Sequence, residues 1–298
     1  MLSILIPVYN FDVQPLVQKL HQQASLLSIA FEIVCVDDGS QLHFKQENRK
    51  LEALTNIRYI EAEENMGRSK IRNYLSQVAS YEYLLYMDCD SMPVDDQYIQ
   101  NYVENLAPNQ LLYGGRVYAP QAPQVQNLYF HWYYGGQREV TASEERQELP
   151  YKSFMTNNFL IPKTIFQQIY FDEQLTQYGH EDTLFGIELR KRKIKILHLD
   201  NPLEHIGLES VEIFIGKTEK AIQNLHTLSL QYDLGKDIRL LKAYEKVKAW
   251  KIHYFFWLGY KLFRKILIRN FKAKHPRLRW FDLYKLGYLI DWGFKHKL

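Results

Sequence analysis

The chain has 298 residues, 46% hydrophobic and 24% charged, so it can bury a large core as one domain with an appendage or as two domains. Its two cysteines, Cys35 and Cys89, lie in apolar strand-like runs, which excludes a disulfide framework and favours a reducing compartment. No run approaches the roughly 20 apolar residues of a membrane-spanning helix, and no basic leader precedes the first apolar run. We therefore expect a cytoplasmic or membrane-peripheral protein.

The net charge of +3 is distributed unevenly along the chain. Residues 242–298 carry 15 Lys and Arg against three acids, a balance of +12, whereas residues 1–241 carry −9. This contrast predicts an acidic body over 1–241 and a basic, aromatic tail over 242–298, with a boundary segment near 235–242.

Apolar runs and helical spacing alternate through the first part of the body. Strands are predicted at 2–8, 31–36, 57–60 and 82–87, with helices at 13–27 and 68–78. This succession predicts a Rossmann-like, mostly parallel α/β sheet flanked by helices, with ligands at the carboxyl ends of its strands. The G-x-G-x-x-G and G-x-x-x-x-G-K-[ST] loops are missing from the sequence, which argues against a dinucleotide dehydrogenase and a P-loop ATPase.

Two carboxylates, Asp88 and Asp90, follow the fourth strand. Because strand side chains alternate faces, these two are expected to point the same way, while Cys89 points to the other face. Paired like charges are unfavourable unless a cation or hydrogen-bond donors lie between them, and hard divalent ions prefer oxygen ligands. The pair therefore predicts an Mn²⁺ or Mg²⁺ site. The alternative is that both are solvated acids at the start of a loop, which would give the same sequence pattern.

Polar residues after the other strands suit a nucleotide. Asp38 can accept hydrogen bonds from a base or ribose, and Pro7 and Tyr9 can contact the base. A helix that opens at Gly67 presents backbone N–H groups and the positive end of its dipole, and cations such as Arg72 follow, which suits a diphosphate. Each of these has a structural alternative: Asp38 could belong to a tight turn, Tyr9 could be a core aromatic, and the cations could form a solvated helix face.

Five short motifs occur in order between residues 6 and 182: IPVYN (6–10), VDDGS (36–40), N-x-G-x-x-x-x-R-N (65–73), DCD (88–90) and GHED (179–182). Together they resemble glycosyltransferase family 2, an inverting family on the GT-A fold. The resemblance implies sugar transfer from a nucleoside diphosphate sugar with a divalent cation.

The resemblance also implies roles for single residues. Nucleoside contacts are implied for Pro7, Tyr9 and Asp38. Asn65, Gly67 and Arg72 fall at the donor site. Asp88 would touch ribose or the metal shell, and Asp90 would bind the metal.

An inverting displacement needs a carboxylate that takes the proton of the acceptor hydroxyl. Glu181 and Asp182 begin a predicted helix, where the helix N-terminus favours ionised carboxylates. The resemblance makes Asp182 the expected base and Glu181 a contact to donor or acceptor. The alternative is that Asp182 only stabilises its own helix.

Three later residues are weaker candidates. His205 resembles the late histidine that some GT-A enzymes add to the metal shell, although a structural histidine fits equally well. Asn157 and Asn158 head a predicted strand and could bind sugar hydroxyls of the acceptor. The aromatic and polar segment 119–152 has no clean period and is interpreted as a long loop or lid, with a packed excursion as the alternative.

The basic tail combines cations with aromatic and aliphatic residues, notably over 250–269. This pattern predicts an interfacial helix on an anionic membrane surface, on the cytoplasmic side of the inner membrane. Packing of the helix on the catalytic domain is the alternative. Without a recognised nucleic-acid module and with an acidic body, nucleic acid is not an expected partner.

The sequence thus predicts a metal-dependent, inverting hexosyl- or N-acetylhexosaminyl-transferase. We expect a UDP-linked donor and a saccharide or lipid-linked acceptor in cell-surface polysaccharide or lipopolysaccharide synthesis. A nucleotidyltransferase of related fold and an inactive carbohydrate-binding relative are the alternatives. The first would usually carry a glycine-rich phosphate loop near the N-terminus, which this chain lacks, and intact Asp90 and Asp182 weigh against the second.

Overall fold

The computed structural model describes residues 1–175, 178–232, 234 and 238–296. It divides into two compact units. Unit 1 comprises Met1–Ala119, Arg138–Thr176 and Glu181–Gly207, and unit 2 comprises Pro120–Gln137, Gln177–His180 and Leu208–Leu298. The predicted boundary between body and tail stays a prediction, and residues 235–237 of the boundary segment lie outside the described residues.

Unit 1 holds the strands. They are β1 (Leu2–Val8), β2 (Phe31–Asp37), β3 (Ile57–Glu61), β4 (Tyr83–Met87), β5 (Ser91–Pro93), β6 (Gln110–Tyr113), β7 (Arg116–Val117), β8 (Asn158–Pro162), β9 (Lys195–His198) and β10 (Leu203–His205). Its helices, numbered with those of unit 2, are α1 (Gln14–Ser25), α2 (Leu42–Asn48), α3 (Arg68–Val78), α4 (Tyr98–Val103), α6 (Ser143–Glu148), α7 (Lys163–Ile169) and α8 (Glu181–Lys191).

The strands form a seven-stranded sheet in the order β3-β2-β1-β4-β8-β6-β9. β1 pairs in parallel with β2 and β4, whereas β8 is antiparallel to both β4 and β6. The predicted strands and helices of the first half are present, and the prediction of a mostly parallel sheet flanked by helices is confirmed.

Alternating side chains of β1 fill both faces of the sheet. Ile4 packs in one apolar cluster with Leu16 of α1. Leu5 packs in the opposite cluster with Ile71 and Leu75 of α3. Fully burying an aliphatic side chain of this size contributes about 1.5–3 kcal/mol, so the two layers fix the sheet and hold the β1, β2 and β4 ends together.

A second, three-stranded sheet has the order β5-β10-β7. β10 pairs antiparallel with β5, with His205 opposite Ser91. Because Ser91 directly follows Asp90, this pairing carries His205 back to the acidic turn after β4.

Unit 2 is helical. It contains α5 (Tyr129–Arg138) as far as Gln137, α9 (Val211–Gln231), α10 (Arg239–Ala249), α11 (His253–Phe271) and α12 (Leu278–Lys295). Aromatic rings form its core: Phe130, Phe271, Phe281 and Tyr284 pack in one cluster. Every helix of the described chain is too short or too polar to serve as a membrane span.

The interpretation of 119–152 as a loop or lid is wrong, because α5 and α6 occupy much of it. The side chain of Phe130 is fully buried, so the aromatic run of α5 packs into a core rather than standing in solvent. Its apolar residues lie around most of the helix, which explains why no clean period marks it in the sequence.

Candidate active site

Asp88, the first acid after β4, is held by two arginines. Arg72 donates from Nη2 to Asp88 Oδ1 at 2.8 Å, and Arg116 donates from Nη2 to Asp88 Oδ2 at 3.4 Å. The Arg72 side chain is only 4% exposed. Both carboxylate oxygens of Asp88 are therefore engaged by protein cations.

Asp90 lies in a separate environment beside His205. The Nδ1 atom of His205 is 3.5 Å from Asp90 Oδ1, and the N–H of Ile206 donates to the Asp90 carbonyl at 2.9 Å. Burial raises the pKa of Asp90, but the neighbouring His205 and the charge of Arg116 outweigh it and lower the pKa to about 2. Asp90 is thus an anion at neutral pH.

The backbone of Gly207 approaches Asp90 closely. A Cβ atom at Gly207 would lie 2.6 Å from Asp90 Oδ2 and 2.7 Å from its Cβ. Only glycine leaves this carboxylate in its place, so the I-G pair after β10 helps to set the position of Asp90.

The residues around Asp90 fit a divalent cation in part. Its Oδ1 is buried and accepts no hydrogen bond from the described part of the chain, which leaves an anionic oxygen for a ligand. Within that part, no group of three or more His, Cys, Asp or Glu side chains converges on one point. Mg²⁺-like ions commonly take one or two carboxylates plus substrate phosphates and water. Asp90, with His205 beside it, could supply the one carboxylate that such an ion needs. Both oxygens of Asp88 are already hydrogen-bonded to Arg72 and Arg116.

Asp38 joins the ends of β2 and α3. Its Oδ1 accepts a hydrogen bond from the N–H of Met66 at 2.5 Å and its Oδ2 one from the N–H of Gly67 at 3.1 Å. Asn65 donates from Nδ2 to the Asp38 carbonyl at 2.8 Å. Burial raises the pKa of Asp38, and these two backbone donors oppose that shift without cancelling it. Gly67 precedes α3 with φ 78°, a left-handed conformation that favours glycine.

The ends of β1 and β2 meet at this edge. The N–H of Asp38 donates to the carbonyl of Val8 at 2.8 Å. Pro7 is partly buried, while Tyr9 is 54% exposed, so Tyr9 is not a core aromatic. Its ring is available to a ligand next to Asp38.

Glu181 and Asp182 open α8. Arg68 donates from Nη1 to Glu181 Oε1 at 2.9 Å, and the N–H of Thr183 donates to Asp182 Oδ1 at 2.7 Å. Burial raises the pKa of Glu181, but Arg68 and Arg72 outweigh it and leave the pKa below its usual value. Loss of surrounding water and the neighbouring negative charge of Glu181 raise the pKa of Asp182 to about 6.

The first turn of α3 connects these acids. Arg68 pairs with Glu181, Arg72 pairs with Asp88, and Arg72 Nη1 donates to the Arg68 carbonyl at 3.2 Å. The structure therefore brings the end of β4 and the start of α8 to the same pair of cations. Of the predicted residues, Asp88, Arg72 and Glu181 are joined by this chain of contacts, and Asp182 follows Glu181.

Asn157 and Asn158, the two residues predicted to bind the acceptor sugar, differ in their side-chain contacts. The Asn158 side chain is fully buried: its Oδ1 accepts from the hydroxyls of Tyr98 and Tyr102, each at 2.7 Å, and its Nδ2 donates to the Gly115 carbonyl at 2.8 Å. These contacts support a structural role. Asn157 accepts the Asp88 N–H with its carbonyl at 3.3 Å, and its buried Nδ2 has no hydrogen-bond acceptor within the described chain.

Arg116 is a site residue that the sequence reasoning did not single out. Besides Asp88, it pairs from Nη1 with Glu139 Oε2 at 3.1 Å, and its side chain is 15% exposed. Burial lowers the pKa of Arg116, but Glu139, Tyr118 and Asp88 raise it above its usual value, so it stays charged. The only signal in the sequence is its position after Gly114 and Gly115 at a strand end.

Comparisons with known proteins bear on this arrangement. The family model of glycosyl transferase family 2 matches residues 3–169. The chondroitin synthase of Escherichia coli is 25% identical over 231 residues, covering 63% of this chain and 32% of that protein. The hyaluronan synthase of Pasteurella multocida is 25% identical over 191 residues, covering 53% of this chain and 19% of that protein. The chain thus spans about a third or less of these relatives.

Among solved structures, the mannosyltransferase PcManGT from Pyrobaculum calidifontis, in complex with GDP-Man and Mn²⁺, matches with a TM-score of 0.56. The match covers 99% of this chain and 86% of that one at 13% identity. The sheet and this likeness show the GT-A fold, as the sequence predicts. The chain belongs to glycosyl transferase family 2, whose model matches more than half of it.

Proposed function

We propose that this glycosyltransferase moves a hexose or N-acetylhexosamine from a UDP-linked donor to a saccharide or lipid-linked acceptor, with inversion at the sugar C1. The carrying observation is the run of contacts from Asp88 through Arg72 and Arg68 to Glu181, because it sets a cationic pair between the two acidic segments. The chondroitin and hyaluronan synthases among its relatives support a saccharide acceptor and a role in cell-surface polysaccharide or lipopolysaccharide synthesis.

The donor would lie along the strand ends. Tyr9 and Pro7 would contact the base, and Asp38 would order the Asn65–Gly67 turn while accepting from base or ribose. Arg72 fixes Asp88 toward the donor. The start of α3 would place its N–H groups and positive dipole end by the diphosphate.

A divalent cation, Mn²⁺ or Mg²⁺, would be held by Asp90 and His205 and would stabilise negative charge on the departing diphosphate. The buried Oδ1 of Asp90, which accepts no hydrogen bond within the described residues, supports this assignment, as does the Mn²⁺ in the structure of PcManGT. Asp88 joins the proposed metal shell only if Arg72 or Arg116 releases one of its oxygens.

Asp182 would accept the proton of the acceptor hydroxyl as that oxygen attacks C1. A pKa of about 6 suits this task, because the carboxylate is mostly ionised at neutral pH yet more basic than an ordinary aspartate. Burial and the negative charge of Glu181, which pairs with Arg68, raise the pKa of Asp182. Asn157 would contact the acceptor from the β8 side.

The test is incubation of the protein with a panel of UDP-, GDP- and dTDP-sugars in Mn²⁺ or Mg²⁺, with release of the nucleoside diphosphate as the readout. Slow donor hydrolysis, lost in Asp90→Ala and Asp182→Asn, is the expected result. Pyrophosphate release from a nucleoside triphosphate and a sugar phosphate would instead show a nucleotidyltransferase. Donor binding without any turnover, with or without added saccharides, would show an inactive binding protein.

We also propose a cytoplasmic, peripheral location on the inner face of the cell membrane, where lipid-linked acceptors are presented. The basic and apolar helices of unit 2 support this location. The surface that would make the contact is identified below.

A further inference from the structure

One side of α11 is apolar and exposed. Residues four or fewer positions apart form a continuous stripe along it. Its members are 50–75% exposed: Phe255, Leu258, Leu262, Phe263 and Ile266. A stripe of this size on a helix surface marks an interaction site rather than scattered surface residues.

A groove runs beside this stripe, within unit 2. Phe255, Phe263 and Ile266 of α11 line one side, and Trp280 and Leu283 of α12 line the other. Its volume is about 620 Å³, in the range of ligand pockets. Gly259 forms part of the floor, and a Cβ atom there would meet no neighbour within 4 Å, so the missing side chain leaves open space.

The two helices that form the groove, and the segment between them, carry exposed cations. Lys265, Arg269, Lys274 and Arg279 are exposed and have no acidic partner among the residues that the structure describes. Other cations of these helices are already neutralised: Lys261 pairs with Asp291 and Arg264 with Glu219. Lys265 and Arg269 therefore lie on the same helix as the apolar stripe, and no acid among the described residues neutralises them.

We propose that this groove takes one acyl chain of an anionic phospholipid, while the stripe of α11 lies in the bilayer surface and the four free cations contact lipid phosphates. An apolar groove on helices that carry exposed cations is complementary to a molecule that joins a hydrocarbon chain to a phosphate. A second copy of this chain would bring the same positively charged helices against each other, which disfavours a symmetric dimer here. The inference rests on the peripheral location proposed above and gives it a defined binding site.

Sedimentation of the full chain with vesicles tests the charge. The vesicles are phosphatidylcholine alone or phosphatidylcholine with an equal part of phosphatidylglycerol, at low and high salt. Binding only to the anionic vesicles, weakened by salt, is expected, because salt screens the exposed cations. Lys265→Gln with Arg269→Gln reduces binding at least about tenfold, equivalent to roughly 1.4 kcal/mol. Lys220→Gln on α9, an exposed lysine of the same unit, is the control and leaves binding unchanged.

Gly259→Gln tests the groove itself. Glutamine favours helix more than glycine does, and its side chain fills the open space and ends in a polar amide. If the groove holds an acyl chain, this substitution should weaken vesicle binding about tenfold. The matched control is Gly216→Gln on α9, where a Cβ also meets no neighbour within 4 Å.

Equal binding of Gly259→Gln and the unsubstituted chain would overturn the proposal, as would equal binding to neutral and anionic vesicles. Concentration-dependent dimerisation, or capture of an acidic peptide or oligonucleotide, that Gly259→Gln abolishes would assign the groove to another occupant. Donor hydrolysis without lipid is measured on every variant. It should stay unchanged, so failure of the lipid site and failure of the glycosyltransferase proposal are separate results.

Discussion

The Nη2 atom of Arg72 lies 2.8 Å from Asp88 Oδ1, and this contact joins the helix α3 to the end of β4 in the centre of the site. Arg72 is buried, so Asp88 is the counter-charge that makes its burial tolerable. The first role of Asp88 is therefore structural: it neutralises the buried charge of Arg72. Asp90, whose buried Oδ1 accepts no hydrogen bond within the described residues, is the proposed ligand of the cation.

This division predicts different results for the two acids. Asp88→Ala leaves the guanidinium of Arg72 buried without its partner, so we expect the free energy of unfolding to fall by about 2 kcal/mol as well as a loss of turnover. Asp90→Ala should abolish metal-dependent release of nucleoside diphosphate with a much smaller change in stability. Urea unfolding and donor hydrolysis on both variants measure the contrast. Equal destabilisation by the two substitutions would contradict it.

The raised pKa of Asp182 predicts the pH dependence of the reaction. Above pH 6 the carboxylate is ionised and can accept a proton, so the rate should be level there and fall about tenfold per pH unit well below it. Asp182→Asn should be inactive at every pH. A rate that is still level down to pH 4 would remove Asp182 as the base.

The same carboxylate should lower the stability of the fold at neutral pH. Because its folded pKa of about 6 is above the unfolded value, the folded state binds the extra proton and loses stability as the pH rises from about 4 to 6. Asp182 is partly exposed, so solvent reduces the effect. We expect Asp182→Asn to raise the free energy of unfolding by roughly 1 kcal/mol at pH 7, with less gain at pH 4.

The strand pattern and the strand-end acids were predictable because both are local. The apolar run before Asp88 predicts a strand over 82–87, and the structure has β4 at Tyr83–Met87. The alternation of side chains in a strand does not apply to Asp88 and Asp90, because both lie beyond the end of β4. β4 ends before Asp88, and the two side chains meet different partners, the arginines and His205.

Long-range contacts could not be derived from spacing alone. Arg116 reaches Asp88 across 28 residues, and Asn158 meets Tyr98 and Tyr102 across 60 and 56 residues. The position of Asn158 follows from the packing of β8 beside β4 and β6, and that of Arg116 from the pairing of β7 with β10. From the sequence, Asn158 at the start of a strand is a plausible ligand-binding residue. Its buried partners, the hydroxyls of Tyr98 and Tyr102, become evident only from the folded structure.

Gly207 offers a test of how tightly the position of Asp90 is set. Alanine there would put its Cβ 2.6 Å from Asp90 Oδ2, so the carboxylate must move. Misplacement of a site group by about 1 Å can cost on the order of 100-fold in rate, and we expect a loss of that size in donor hydrolysis with little change in thermal unfolding. Gly136→Ala in α5, where the Cβ meets open space, should have full activity. Full activity of Gly207→Ala would show that Asp90 tolerates displacement.

Glu32 of β2 predicts how the sheet responds to acid. Its Oε1 accepts from the Ser3 hydroxyl at 2.6 Å and its Oε2 pairs with Arg58 at 2.8 Å, which links β1, β2 and β3. Burial raises the pKa of Glu32, but Ser3, Ser80 and Arg58 outweigh it and lower the pKa, so the charged form is stabilised by folding. This contribution is present above the unfolded pKa near 4.5 and is lost as the pH falls through the lower folded value.

We therefore expect Glu32→Gln to lower the free energy of unfolding by about 2 kcal/mol at pH 7, the scale of hydrogen bonds to a charged group. The difference from the unsubstituted chain should shrink as the pH falls below about 4.5. Urea unfolding across this range measures it. Glu47→Gln on the surface of α2, where the exposed carboxylate pairs with the exposed Lys50, is the control and should change stability little at any pH. A Glu32→Gln deficit of the same size at pH 3 and pH 7 would mean that packing, not the charge of Glu32, holds these three strands together.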